Sequence, residues 1–201
     1  MSKNHKVVIT GTGRNGTTFL VQLLTWLGLD TGFSRTDIET SNKANAGLEV
    51  GIYERWDKAS KSWIPNPQYI VKSPLICDKI DQAMGFGNVT FDHVYIPMRE
   101  IDSVVASRVR VGHEDGGYWG ADNPKDQKLF LLDLFHQLIF SLAKHDIPYT
   151  LMVFPQLASD PLYCYEKLSY LMKDIPYETF LEAFEATSQQ GKIHRFEAAG
   201  K

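Results

Sequence analysis

A chain of 201 residues can bury the core of one domain but is too short for two ordinary domains and a linker. With 43% hydrophobic and 22% charged residues and a formal net charge of −3, it has a globular composition and offers no overall electrostatic case for nucleic acid or membrane binding. Any anion site must be built locally.

No run approaches eighteen apolar residues, and Met1–Lys6 leads directly into a strand pattern without a signal-type apolar region, so a cytoplasmic protein is expected. The two cysteines, Cys77 and Cys164, lie far apart without metal-type spacing and read as two buried thiols. There is no internal repeat, and nothing reads on oligomeric state.

In chain order, Val7-Val8-Ile9 reads as a buried strand that breaks into Thr10-Gly11-Thr12-Gly13-Arg14-Asn15-Gly16. From Thr17 onward Phe19, Leu20, Leu23, Leu24 and Leu27 recur at helical spacing. A strand, a glycine turn and a helix start in that order form a phosphate cradle, because backbone N–H groups and the positive end of the helix dipole face the turn. The spacing Gly11-x4-Gly16 matches a Walker A loop, but Thr17-Thr18 stands where a nucleotide triphosphatase has Lys followed by Ser or Thr. Arg14 would supply the missing charge from inside the loop, with the Thr17 and Thr18 hydroxyls as further donors.

After a helix cap at Gly28, residues from about 30 to 66 are polar and only weakly periodic and read as loop or short helix. Tyr69-Ile70-Val71 is expected as a second buried strand ending at Lys72, Cys77 to Met84 as a short helix, and Phe91 to Met98 as a third strand ending at Arg99. Asp102 or Ser103 would cap a helix to about Val111, with Val104, Val105 and Val109 inward and Ser103, Ser107 and Arg110 on a polar stripe. A loop over 112–123 precedes a long helix from Lys125 to His145, whose stripe of Leu131, Leu132, Phe135, Leu138, Ile139 and Leu142 is core packing. Tyr149 to Phe154 reads as a fourth strand, and Pro161 to Lys173 and Tyr177 to Ala186 as closing helices. The alternation predicts an α/β fold with a central parallel sheet and helices on both faces, and ligands at the strands' carboxyl ends. The cradle, Lys72 and Arg99 would share that edge.

A phosphoryl-transfer enzyme of the P-loop class needs a magnesium ion, usually positioned by an acid at the end of an apolar strand. The candidate strands end instead in Lys72, Arg99 and Pro155. Cations around a phosphate loop suit a multiply charged nucleotide held without metal.

Arg14-Asn15-Gly16-Thr17-Thr18 resembles the 5′-phosphosulfate loop of sulfotransferases that use 3′-phosphoadenosine 5′-phosphosulfate (PAPS). Arg99 and Ser107, eight residues apart, resemble the arginine and serine that hold the 3′-phosphate in that family, and Val71-Lys72-Ser73-Pro74 is similar to its lysine-containing strand end. The resemblance covers about residues 7 to 110. It implies one sulfotransferase-like P-loop domain over 1–201, PAPS as donor with no metal, and a small-molecule or carbohydrate acceptor carrying a hydroxyl or amine. On it, Gly13, Arg14, Asn15, Gly16, Thr17, Thr18, Arg99 and Ser107 bind the donor, while Glu49, Lys72 and Arg14 carry catalysis.

The chain departs from the cytosolic members, which have a catalytic histidine after the lysine; Ser73, Pro74 and Leu75 stand there. Carbohydrate and tyrosylprotein sulfotransferases use a glutamate instead, and Glu49 is the first candidate here, ahead of Glu54 and Glu39, with His113 and Glu114 as another source of a base. Glu49 reads equally as a surface acid, Lys72 as a solvated strand terminus and Arg99 as half of an ion pair with Glu100 or Asp102. Lys192 and Arg195 in the tail could reach the 3′-phosphate, and Tyr53, Trp56, Tyr118 and Trp119 could stack on an acceptor. A P-loop kinase and a non-catalytic binder of the donor or of its bisphosphate product are the other readings of the same residues.

Overall fold

The computed structural model describes residues 4–40, 47–113 and 117–188. The elements run β1 (Asn4–Ile9), α1 (Thr17–Trp26), α2 (Arg35–Thr40), β2 (Tyr53–Asp57), β3 (Ser62–Pro65) and β4 (Ile70–Lys72), then a 3₁₀ turn (Pro74–Ile76) and α3 (Ile80–Phe86). They continue through β5 (Val89–Met98), α4 (Ile101–Val111), α5 (Pro124–Lys144), β6 (Tyr149–Val153), α6 (Gln156–Ser159), α7 (Pro161–Lys167) and α8 (Tyr177–Thr187).

Four strands form a parallel sheet in the order β4-β1-β5-β6. β1 lies in its interior, so the loop that leaves it emerges between the carboxyl ends of β4 and β5. Strand alternation feeds two cores. Val7 and Ile9 pack with Leu20, Leu24, Met152, Leu168 and Phe180 on the α1 and α8 face, whereas Val8 packs with Val71, Ile80, Leu134 and Leu138 on the α3 and α5 face. The register between β1 and β5 slips, Lys6 facing Phe91 and Val7 facing His93, so Asp92 is the extra residue of a bulge. The bulge reverses the alternation in β5, which is why Phe91 and Val94, three residues apart, serve the same core. Both cysteines are buried free thiols.

Several boundaries differ from the sequence pattern. The stretch expected as loop or short helix holds α2 and an antiparallel β2–β3 hairpin. Its strands are short and nowhere fully buried, so no apolar alternation marks them; the Asp57 carboxylate fixes the turn by accepting from the Ala59 and Ser60 N–H groups. Glu100, rather than Asp102 or Ser103, caps α4, accepting from the N–H groups of Asp102 at 3.0 Å and Ser103 at 2.8 Å. Val109 is exposed, because α4 buries a face centred on Val104 and Arg108. Leu132 is also exposed, since the buried seam of α5 runs through Leu131, Leu134, Leu138 and Leu142. Glu114, Lys192 and Arg195 lie outside the described residues.

Candidate functional site

β1 is locked before it turns. Thr10 donates its N–H to Tyr95 and its hydroxyl to the Ser73 carbonyl, tying the strand end to β5 and to the exit of β4. The chain then uses left-handed backbone at Gly13, Arg14 and Gly16. Two of these positions have no room for a side chain. A Cβ on Gly13 would stand 2.8 Å from Arg108 Nη2, and one on Gly16 2.8 Å from Phe154 Cδ2. Asn15 braces the loop from inside, donating to Thr12 Oγ1 at 3.0 Å and to the Pro97 carbonyl at 3.1 Å, while its Oδ1 is buried without a hydrogen-bond partner.

α1 starts at Thr17 with Gly16 as its cap residue, so the cap offers no side chain to its first N–H groups, and no acid stands in its first turn. A ten-residue helix thus presents unsatisfied donors and the positive end of its dipole to the loop, the physical requirement for binding an anion.

Two cationic groups flank this helix start. The first belongs to β4. Lys72 is only 3% exposed, not a solvated strand end, and its Nζ donates to Thr18 Oγ1 at 3.0 Å and to the Gly47 carbonyl. Glu49 Oε1 lies 3.6 Å from Nζ, with the glutamate side chain about half exposed. Burial pushes the Lys72 ammonium below its ordinary value, and the Glu49 charge opposes that shift. A buried lysine, a threonine of the loop and a half-exposed glutamate therefore meet at one point. Glu54 lies elsewhere: it is exposed on the hairpin, whose Tyr53 hydroxyl reaches Asn88, just before β5 begins, at the opposite end of the sheet. Glu39 is exposed on α2, and His113 sits beyond α4 with its ring 5.6 Å from that of Tyr118.

The second group belongs to β5 and α4. Arg99 lies over the Phe154 ring at 5.1 Å. Nearby, Glu100 caps α4 and Asp102 pairs with Lys128. Ser107 is buried, and Arg14 Nε donates to its Oγ at 3.0 Å. Burial holds Arg99 below the usual arginine range, and the charges of Arg14 and Arg110 push the same way against Glu100. Arg14 is lowered in turn by burial and by Arg110.

Arg108 is a residue beside the glycine loop that the motif pattern does not reveal. It is 4% exposed, donates through Nη2 to the Thr12 carbonyl and through Nη1 to the Gly117 carbonyl, and lies 5.6 Å over the Trp119 ring. Burial, with the Arg14 charge behind it, lowers its guanidinium to about 10. Its sequence signal was its place four residues after Val104, an arginine on an apolar helix face. The aromatic candidates for acceptor stacking have ring partners within the chain, although Trp56 remains exposed. Tyr53 and Trp56 contact Trp63 on the hairpin, and Trp119 packs edge-on against Phe130.

Among the described residues no group of three or more His, Cys, Asp or Glu side chains could hold a metal ion, and no helix is long and apolar enough to cross a membrane. No family model matches the chain and no curated protein matches it. Solved structures do. A sulfotransferase domain from the Synechococcus PCC 7002 olefin synthase superposes with a TM-score of 0.53 at 13% identity, over 90% of this chain and 78% of that one. A sulfotransferase domain from the curacin biosynthetic pathway gives 0.51 at 15% identity, over 94% and 79%. At such identities the likeness speaks for architecture: the chain has a sulfotransferase-type α/β fold.

Proposed function

We propose that this protein is a sulfotransferase that moves a sulfuryl group from PAPS to a hydroxyl or amine of a small-molecule or carbohydrate acceptor. The observation that carries this reading is the convergence, at one sheet edge, of an uncapped α1 N-terminus with the Lys72–Thr18–Glu49 group on one side and Arg99 with Ser107 on the other. Both structural neighbours are described as sulfotransferase domains, which supports it.

Each chemical demand has a residue suited to it. Glu49, half exposed and beside Lys72, would accept the acceptor's proton as the new bond to sulfur forms. As the bond from sulfur to its bridging oxygen breaks, Lys72 and the first N–H groups of α1 would neutralise the charge that collects on that oxygen, with Arg14 adding to the positive potential of the loop. The leaving molecule is then adenosine 3′,5′-bisphosphate. Arg99 and Ser107 would hold its 3′-phosphate through charge-assisted hydrogen bonds. Asn15 and Arg108, bonded to the loop and to carbonyls around it, keep the N–H groups aimed before any ligand arrives.

Calorimetric titration with adenosine 3′,5′-bisphosphate, without magnesium, tests the donor site. Tight binding that Arg99→Ala weakens by about 10- to 100-fold is expected. Binding of ATP only, and only with magnesium, would instead support a kinase.

A further inference from the structure

We infer that α5 is a dimerisation element: its outward apolar stripe docks antiparallel on the same stripe of a second copy of this chain, with His136 on the two-fold axis.

The inner seam of α5 serves the core, yet the helix carries apolar side chains on its outer side as well. Leu129 is 58%, Leu132 47% and Phe140 60% exposed. His136 is exposed between them, its ring stacked on that of Phe140 at 6.3 Å, and Ala143 is exposed one turn further on. At about 100° per residue these five positions fall within a sector of about 80°, so they form one straight stripe along the helix. Polar groups keep to its flank, where Gln137 donates to the Asp133 carboxylate at 2.6 Å.

The spacing selects a second copy as the occupant. From Leu129 to Ala143 the steps are three, four, four and three residues, the same read from either end. A two-fold axis through His136 therefore sets Leu132 of one copy against Phe140 of the other, and the larger Leu129 against the smaller Ala143. The charges agree with that register. Exposed Lys125, four residues before the stripe, comes opposite exposed Asp146, three residues after it, and the symmetry repeats the pair at the other end. Lys128 would meet Lys144, but each is neutralised within its own chain, Lys128 by Asp102 at 2.5 Å and Lys144 by Asp81 at 3.0 Å. One helix pair is a small interface, so dissociation in the micromolar range is expected. Because α5 runs back to the start of β6, antiparallel pairing leaves the two glycine loops at opposite ends of the dimer.

Sedimentation velocity from micromolar to near-millimolar protein, combined with cysteine cross-linking, tests the pairing. His136→Cys should form a covalent dimer under mild oxidation, because only a residue on the axis meets its own copy. Wild-type protein, whose Cys77 and Cys164 are buried, should not. A mixture of Leu132→Cys and Phe140→Cys should cross-link between the two variants. Phe140→Asp, a change to an exposed side chain, should weaken dimerisation by about 10- to 100-fold with an unchanged circular dichroism spectrum. Lys125→Glu should weaken it by about two- to fivefold. A monomer at every concentration would overturn the inference and leave the stripe to a different protein. A dimer that survives Phe140→Asp, or that gives no His136→Cys cross-link, would overturn it by placing the contact elsewhere.

Discussion

At the scale of single residues, the site depends on a lysine that is costly to bury. Lys72 gives up hydration and recovers hydrogen bonds to Thr18 and Gly47 and the field of Glu49. Glu49 is half exposed, as its proposed role of receiving a proton from an entering acceptor requires. Glu49→Gln should lower turnover by about 10²- to 10⁴-fold with bisphosphate affinity nearly unchanged, whereas a merely structural acid would move both or neither. Single-turnover rates alongside calorimetry measure the split. The loop glycines and the strand-end cations could be read from the sequence because phosphate cradles demand those residue types in a fixed order. Arg108 could not, since a basic residue on a helix is ordinarily solvated and only the packed structure puts its guanidinium under Thr12 and Gly117. The Glu100 cap was hidden for a related reason: Ser, Thr, Asp and Asn are the usual caps, and Asp102 and Ser103 stood nearby.

At the scale of elements, the turn from β1 into α1 is the most constrained feature. Gly16 has φ 94° and a Cβ there would run into the Phe154 ring, while Gly28 has φ 79° and open space where its Cβ would be. Gly16→Ala should therefore cost about 1–3 kcal/mol and weaken anion binding, with Gly28→Ala at the low end of that range and functionally silent. Urea denaturation of both variants provides the comparison. The β2–β3 hairpin was illegible because its ladder is secured by backbone pairing and by Trp63 packed on Tyr53 and Phe86, none of which imposes alternating hydrophobicity. The long helix α5 was legible because its seam repeats over about three turns; only its rotation was misjudged, and Leu132 fell outside.

At the scale of the molecule, a sheet between two apolar layers holds the carboxyl edge rigid. Leu24 is fully buried in the α1 layer, and Leu24→Ala should destabilise by about 2–5 kcal/mol in urea denaturation without altering nucleotide selectivity. On the same sheet His93 bonds Thr150 Oγ1 at 2.8 Å and stacks on Tyr170. Burial pushes its imidazole below the ordinary 6.5, so the unfolded chain takes up the proton first as pH falls. The stabilising contribution of neutral His93 is thus complete above about pH 6.5 and lost as pH drops through the lowered value. The urea midpoint should fall from pH 7.5 to 5.5, and fall less in His93→Gln.

The most direct test of the account is the formation of adenosine 3′,5′-bisphosphate from PAPS in the presence of alcohols, phenols, amines and sugars, for the wild-type protein and for Lys72→Ala. The account predicts that one acceptor class accelerates bisphosphate release, with a sulfated product in equal amount, and that Lys72→Ala loses about 10²- to 10³-fold in rate. Tight donor binding with no acceptor-dependent release in any class would contradict it and leave a protein that binds the nucleotide without transferring its sulfuryl group.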